Sequence, residues 1–334
     1  MSASVRKLSV ICPAYEEEAV LPRFHAELAS VLDALPPEYE AEVIYVDDGS
    51  EDGTLAALRR LAASDRRVRY LSLSRNFGHQ AAITAGLEHA MGDAVITLDS
   101  DLQHPPALIT TLLEKWREGN DIVMTLREED PDLGPVKRVT SRAFFELMRW
   151  LSETEMRIAA SDYRLMSRRA VDALLRFPET HRFLRGMVHW LGFPTATVRF
   201  QVASRGAGRS KFTFRRLFAF AIDALLSFSK VPLRLSFVLG MVFLLFGTIY
   251  GSYEIVRWLL GHGLGWELVL AAVLFVGGCT LASLGLVGEY LGRVYEQVKG
   301  RPLYLLKEQW PDRAAQSEVL DGRHEERPPG SAAA

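Results

Sequence analysis

Cysteine is nearly missing from this chain. Cys12 and Cys279 stand far apart in 334 residues. That excludes a disulfide scaffold and any thiolate metal spacing, and it leaves both thiols as small apolar side chains in a reducing compartment. A basic excess is also missing: 39 Lys and Arg face 41 Asp and Glu, so the charge footprint of a nucleic-acid binder is not there. No Gly-x-Gly-x-x-Gly turn follows the first apolar run, Leu8 to Pro13, which argues against a dinucleotide cofactor. No signal peptide is legible, because the run Leu8 to Cys12 is too short and soon meets Glu16-Glu17-Glu18. Two stretches, 235–253 and 268–288, lack Asp, Glu, Lys and Arg altogether. Each is close to the length that spans a bilayer as a helix.

Residues 1 to about 210 read instead as a soluble α/β unit. Strands are expected at Leu8–Pro13, Glu42–Val46, Val68–Leu73, Ala94–Asp99 and Asp121–Thr125. Helices are expected at Glu16–Leu35, Thr54–Ala63, Gln80–Met91 and Pro106–Glu118, with another from Arg168 to Leu175. This alternation predicts a mainly parallel sheet covered by helices on both faces. Polar residues at the strand ends would then gather along one edge, the usual ligand crevice of such sheets: Tyr15 and Glu16, Asp47 and Asp48, Asp99 and Asp101.

The strand Ala94–Asp99 runs into Asp99-Ser100-Asp101-Leu102-Gln103. In an extended segment, residues i and i+2 point to the same side. Two carboxylates so placed repel unless a cation sits between them. Mg²⁺ or Mn²⁺ is the hard, oxygen-seeking choice, and it commonly brings a phosphate ligand. A lone Asp-x-Asp is more often a solvated turn, so the weight comes from its company.

That company is Pro13-Ala14-Tyr15-Glu16-Glu17, Asp47-Asp48-Gly49-Ser50, Arg75-Asn76-Phe77-Gly78-His79-Gln80 and the Asp99 motif, in this order. Together they resemble the family 2 glycosyltransferases, with their A-type, Rossmann-like nucleotide-sugar-binding fold. Asp162-Tyr163-Arg164-Leu165-Met166 and Arg205-Gly206-Ala207-Gly208-Arg209-Ser210-Lys211 narrow the resemblance to the polyprenyl-phosphate glycosyltransferases. It covers about residues 7–300. The resemblance implies that Pro13, Tyr15, Glu17 and Asp47 or Asp48 line the nucleobase and ribose pocket. It implies that Asp99, Asp101 and Gln103 contact the metal and diphosphate. Arg127, Lys137 and Ser141 fall where the family contacts the acceptor phosphate. Asp162 falls on the position usually proposed as catalytic base, and Arg205, Ser210 and Lys211 would close over the reaction centre. Phe212 stands where many relatives have Tyr, and Ser100 where Ala is common; the Ser100 side chain is expected to point away.

The resemblance implies an inverting transfer of one sugar from a UDP- or GDP-linked donor to a polyprenyl phosphate. A phosphate monoester has a second pKa of roughly 6, so the acceptor hardly needs a base. Asp162 is therefore read three ways: as a base, as an orienter of Lys211 or Arg205, or as a cap on the turn into the helix at Arg168. His79 reads as packing near a helix start, and Arg168, Arg169, Arg182 and Arg185 as solvated helix faces. Two other activities compete. A processive polysaccharide synthase would carry Gln-x-x-Arg-Trp late in the chain, whereas Glu146-Leu147-Met148-Arg149-Trp150 starts with Glu and lies before Asp162. A sensor that has lost catalysis would not keep Asp99, Asp101, Asp162 and Lys211.

Residues 211–232 read as a basic, aromatic amphipathic segment lying in the membrane interface. Residues 233–292 hold the two spans as a hairpin, and 293–334 form a cytoplasmic tail, disordered from about residue 310. Lys230 and Arg234 precede the hairpin, Arg293, Lys299 and Arg301 follow it, and its loop offers Arg257 and His262. This bias puts both ends, and the catalytic domain, on the cytoplasmic side of the inner (plasma) membrane. Gly247-x-x-x-Gly251, Gly278-x-x-x-Ala282 and Gly288-x-x-x-Gly292 would let helices approach closely, within the hairpin or in a homo-oligomer.

Overall fold

A computed structural model describes residues 5–127, 160–180, 182–200, 231–261 and 266–311. Its centre is an eight-stranded sheet: β1 (Arg6–Ala14), β2 (Tyr39–Asp47), β3 (Val68–Leu73), β4 (Ala94–Thr97), β5 (Ile122–Arg127), β6 (Ala160–Ser167), β7 (Thr195–Phe200) and β8 (Leu306–Trp310). The spatial order is β7-β5-β6-β4-β1-β2-β3-β8. β6 runs antiparallel between β4 and β5, and β8 runs antiparallel along β3; the other pairings are parallel. The mainly parallel sheet is thus as expected, while β6, β7 and β8 are additions to the expected strands.

The helices follow the strands: α1 (Leu21–Asp33), α2 (Thr54–Ser64), α3 (His79–His89), α4 (Leu108–Arg117), α5 (Arg168–Leu175) and α6 (Leu184–Trp190). Alternation along β1 sends Leu8, Val10 and Cys12 to one face of the sheet and Ile11 to the other. Phe24 and Leu28 of α1, Leu58 of α2 and Leu112 of α4 pack on the first face. Ile83 and Leu87 of α3, Val171 and Leu174 of α5 and Met187 of α6 pack on the second. Each such side chain contributes about 1.5–3 kcal/mol on burial. Gly86 lets α3 lie against β1, since a Cβ there would sit 2.2 Å from Ile11 Cγ2.

α1 begins at Leu21, not at the expected Glu16. Residues 16–18 are spent on the loop after β2. Glu16 and Glu17 donate backbone N–H groups to Ser50 Oγ (3.0 Å) and Thr54 Oγ1 (2.9 Å), and the Glu18 carboxylate accepts from Gly53 N at 3.0 Å. Glu16 takes a left-handed backbone, φ 55°, which no helix accommodates.

Two long helices, α7 (Val231–Leu259) and α8 (Trp266–Val298), follow. Both are long and apolar enough to cross a membrane. Their large side chains are exposed, Phe237 and Leu281 among them, and Phe243 meets Phe275 edge-on at 4.9 Å. A Cβ at Gly247, Gly251, Gly278 or Gly288 would touch nothing within 4 Å, so the hairpin leaves these small faces open.

α8 and the segment after it are tied back to the α/β domain. The Gln297 side chain accepts from Thr180 N (2.7 Å) and donates to Pro178 O (2.5 Å), and Tyr304 donates to Glu88 (2.5 Å). β8 then completes the sheet edge. Its Glu308 accepts from Tyr70 at 2.6 Å and from Arg59 Nε at 2.9 Å. The Arg59 and Tyr70 hydrogen bonds bring the Glu308 carboxyl from 4.5 down to about 2. A depressed carboxyl stabilises the fold above its unfolded pKa, and the contribution is lost as pH falls through the folded value. Amides of β8 should therefore keep their exchange protection at pH 5 and lose it between about 4.5 and 2. Glu308→Gln should remove that dependence. Unchanged protection down to pH 2 would show that the carboxylate does not hold the strand.

Candidate active site

Adjacent parallel strands β4, β1 and β2 end together. Their ends bring Pro13 to Tyr15, Asp47 and Asp48, and Leu98 to Asp101 to one edge of the sheet. A cavity of about 300 Å³ opens there, lined by Pro13, Tyr15, Glu17, Asp48, Asp99 and Asp101 and also by Asn76, Gly78 and His79. Ser100 is buried and donates to Pro13 O at 2.8 Å, which clamps the end of β4 to the end of β1. An Ala at this position would lack the clamp.

Asp47 and Asp48 divide the work of shaping the wall. Asp47 is buried, accepts from Ser50 N (3.0 Å) and Ser72 Oγ (2.8 Å), and does not line the cavity. Asp48 accepts from the backbone N–H groups of Phe77 (2.7 Å) and Gly78 (3.0 Å). Burial raises its pKa against those hydrogen bonds. So Asp48 holds the 76–78 segment as the wall facing Tyr15.

The Asp99–Gln103 turn reverses at Leu102, φ 62°. Asp101 accepts from Gln103 N at 3.0 Å and from the Gln103 side-chain amide. Asp99 lies between two imidazoles, His79 Nε2 at 3.4 Å and His104 Nδ1 at 3.5 Å. Burial raises the Asp99 pKa, against the pull of those two rings. His104 also meets Ser161 Oγ at 2.7 Å. Among the described residues no three His, Cys, Asp or Glu side chains converge as a complete metal cage. Asp99 and Asp101 are an all-oxygen pair on one cavity, a donor set that fits a hard divalent ion which takes its other ligands from phosphate and water.

Asp162 lies on β6 and is 4% exposed. It accepts from Arg164 Nη2 at 2.6 Å and from Arg185 Nε (3.1 Å) and Nη2 (2.7 Å), and His79 Nε2 lies at 3.7 Å. Burial alone would raise its pKa; His79 and the two guanidinium groups outweigh that and hold it well below the usual carboxylate range. Asp162 does not cap the next helix: Ser167 does, accepting from Ala170 N at 3.2 Å. Arg185 is likewise no solvated face, since it pairs with Asp162. Arg169 pairs with Asp121, Arg168 donates to Gly92 O, and Arg182 donates to Phe177 O.

Of the residues implied by the resemblance, Arg127 ends β5. Lys137, Ser141, Arg205, Ser210 and Lys211 lie outside the described residues, as do the amphipathic segment through 230 and the tail from 312. Four side chains join the site without having been expected there: His79, His104, Arg164 and Arg185. Arg164 alone has a signal in the sequence, being i+2 from Asp162 on one strand and so on its side of the sheet.

The description "Glycosyl transferase family 2" matches residues 9–175. The chain belongs to that family. Its two long helices match the GtrB C-terminal hairpin over residues 231–294. The protein is a glycosyltransferase of the hexosyl-transferring class. An uncharacterised glycosyltransferase of Synechocystis is 41% identical over 91% of this chain and 96% of its own length. A prophage-derived bactoprenol glucosyl transferase of Shigella flexneri is 38% identical over 90% and 97%. Among solved structures, glucosyl-3-phosphoglycerate synthase from Mycobacterium tuberculosis, in complex with Mn²⁺, UDP and phosphoglyceric acid, covers 66% of this chain and 78% of that one. Its identity is 23% and its TM-score 0.44, too slight a likeness to transfer any residue's role.

Proposed function

We propose that this family 2 glycosyltransferase moves a single glucose from a nucleotide diphosphate sugar to a polyprenyl phosphate at the cytoplasmic membrane face. The observation that carries the reading is the joining of two parts in one chain. The cavity with Asp99 and Asp101 belongs to a domain pinned, through Gln297, to a hairpin long enough to span a bilayer. The acceptor class and the sugar follow the relatives that bear the name bactoprenol glucosyl transferase. The positive residues flanking the hairpin, and the cytosolic supply of nucleotide sugars, support the orientation.

As the glycosidic bond breaks, the leaving diphosphate gains negative charge and the sugar gains oxocarbenium character. Asp99 and Asp101 would hold Mg²⁺ or Mn²⁺, which supplies charge neutralisation at the leaving group when bound. Gln103 keeps the Asp101 carboxylate turned, and His79 and His104 flank Asp99 on either side. Pro13, Tyr15, Glu17 and Asn76 surround the remaining volume, where the nucleoside would sit. Attack from the face opposite the leaving group inverts the anomeric centre.

Purified protein with undecaprenyl phosphate and a panel of UDP- and GDP-sugars tests this reading. The expected product is a lipid carrying one sugar, formed fastest from a glucose donor. A polymer, or no lipid product from any donor, overturns it.

A further inference from the structure

We propose that Arg185 binds the phosphate of the lipid acceptor, and that Asp162 acts by positioning Arg185 and not as a base. The inference rests on the reading that the acceptor is a phosphate monoester. A carboxylate has about four lone-pair sites. On Asp162, Oδ1 accepts from Arg164 at 2.6 Å and Arg185 at 3.1 Å, and Oδ2 accepts from Arg185 at 2.7 Å and faces His79 at 3.7 Å. A general base needs an open lone pair within hydrogen-bond reach of the proton it takes. Asp162 is 4% exposed, three of its four lone-pair sites already accept from guanidinium N–H groups, and the fourth is turned to the His79 ring and not to open space.

The chemistry gives it no proton to take either. A phosphate oxygen of the acceptor dianion bonds to the anomeric carbon while the bond from that carbon to the donor's β-phosphate oxygen breaks. The acceptor becomes a diester monoanion, the nucleoside diphosphate leaves with the electron pair, and no proton moves.

What Asp162 does is fix a guanidinium. Its two oxygens hold the Nε–Nη2 edge of Arg185, whose side chain stays 36% exposed and whose Nη1 has no hydrogen-bond partner among the described residues. The Asp162 oxygen that holds Arg185 Nη2 lies 3.7 Å from His79 Nε2, and that same ring nitrogen lies 3.4 Å from Asp99, so Arg185 is one carboxylate and one imidazole away from the cavity's acidic pair. Arg164 cannot serve in the same way, because it is buried, with Nη1 on Leu184 O. A guanidinium stapled along one edge presents the other as a rigid fork, the geometry that suits phosphate. It stands beside a cavity rich in carboxylates, where a second anion most needs a cation.

The test uses the full-length enzyme with the donor it turns over and undecaprenyl phosphate. Arg185→Ala should raise the acceptor KM by about tenfold or more, leave donor-nucleotide affinity within about twofold, and be partly rescued in Arg185→Lys. Asp162→Asn should reproduce the acceptor defect without changing the shape of the kcat–pH profile, and the double variant should be no worse than the poorer single one. An unchanged acceptor KM in Arg185→Ala overturns the proposal. So does an Asp162→Asn enzyme with a normal acceptor KM whose kcat recovers only at high pH. If Asp162→Asn does not fold, the two Arg185 variants decide, since that side chain is partly exposed. Direct binding of polyprenyl phosphate without donor separates the two readings. Wild-type protein that does not bind it refutes the acceptor class; wild-type and Arg185→Ala proteins that bind it equally refute the role of Arg185.

Discussion

Asp101→Ala should leave a folded protein with sugar transfer reduced by about 10³-fold or more. Asp101 stands on the turn after β4, lines the cavity, and orders its own loop through Gln103. Its removal takes one of the two carboxylates that, among the described residues, offer a divalent ion an oxygen pair at this edge of the sheet. The leaving diphosphate then develops its charge with less compensation. The loss should fall mainly on kcat, because the interaction matters most once the bond is breaking. Transfer rates titrated with Mg²⁺ and Mn²⁺, beside thermal melting, would check it. An Asp101→Ala enzyme within tenfold of wild type, at any metal concentration, would remove Asp101 from the mechanism.

Gly49→Ala should damage the fold itself. Gly49 has φ +69°, and a Cβ there would lie 2.2 Å from the Arg75 carbonyl carbon and 2.6 Å from Asn76 N. Both obstacles are backbone, so no rotamer relieves them. The left-handed conformation and the clash together should cost about 3 kcal/mol, several degrees in the melting of the catalytic domain. The same displacement pushes away the 76–78 segment that Asp48 holds, so donor nucleotide affinity should fall with stability. A variant that melts like wild type and binds donor normally would show that the two loops have room to separate.

Much of the catalytic sheet is legible in the sequence because its strands are short apolar runs, two of which (β2 and β4) stop abruptly at acids, and its helices have regular apolar spacing. β6 is not, because its residues come after a long intervening segment and read as a motif, not as a strand inserted between β4 and β5. β8 escapes because Leu306-Lys307-Glu308-Gln309-Trp310 is too polar to announce an edge strand; what holds it is a specific pairing with Arg59 and Tyr70. In the site, Pro13, Tyr15, Glu17, Asp48, Asp99 and Asp101 line one cavity. His79, His104 and Arg185 acquire their places only through tertiary packing. A single His in a loop or at a helix start, or a single Arg on a helix, carries no periodic signal that distinguishes a surface from a clamp.

The return of β8 sets an order on biosynthesis. More than two hundred residues separate β3 from the strand that covers it. During synthesis the outer edge of β3 is therefore unpaired while both long helices are still being made. An open edge of this kind is a template for pairing with other chains. Segments emerge from the ribosome at about 5–20 residues per second, so the exposure lasts on the order of ten seconds or more. The short strand β8 thus acts as a latch: the β3 edge of the nascent enzyme is closed only after the hairpin has been delivered.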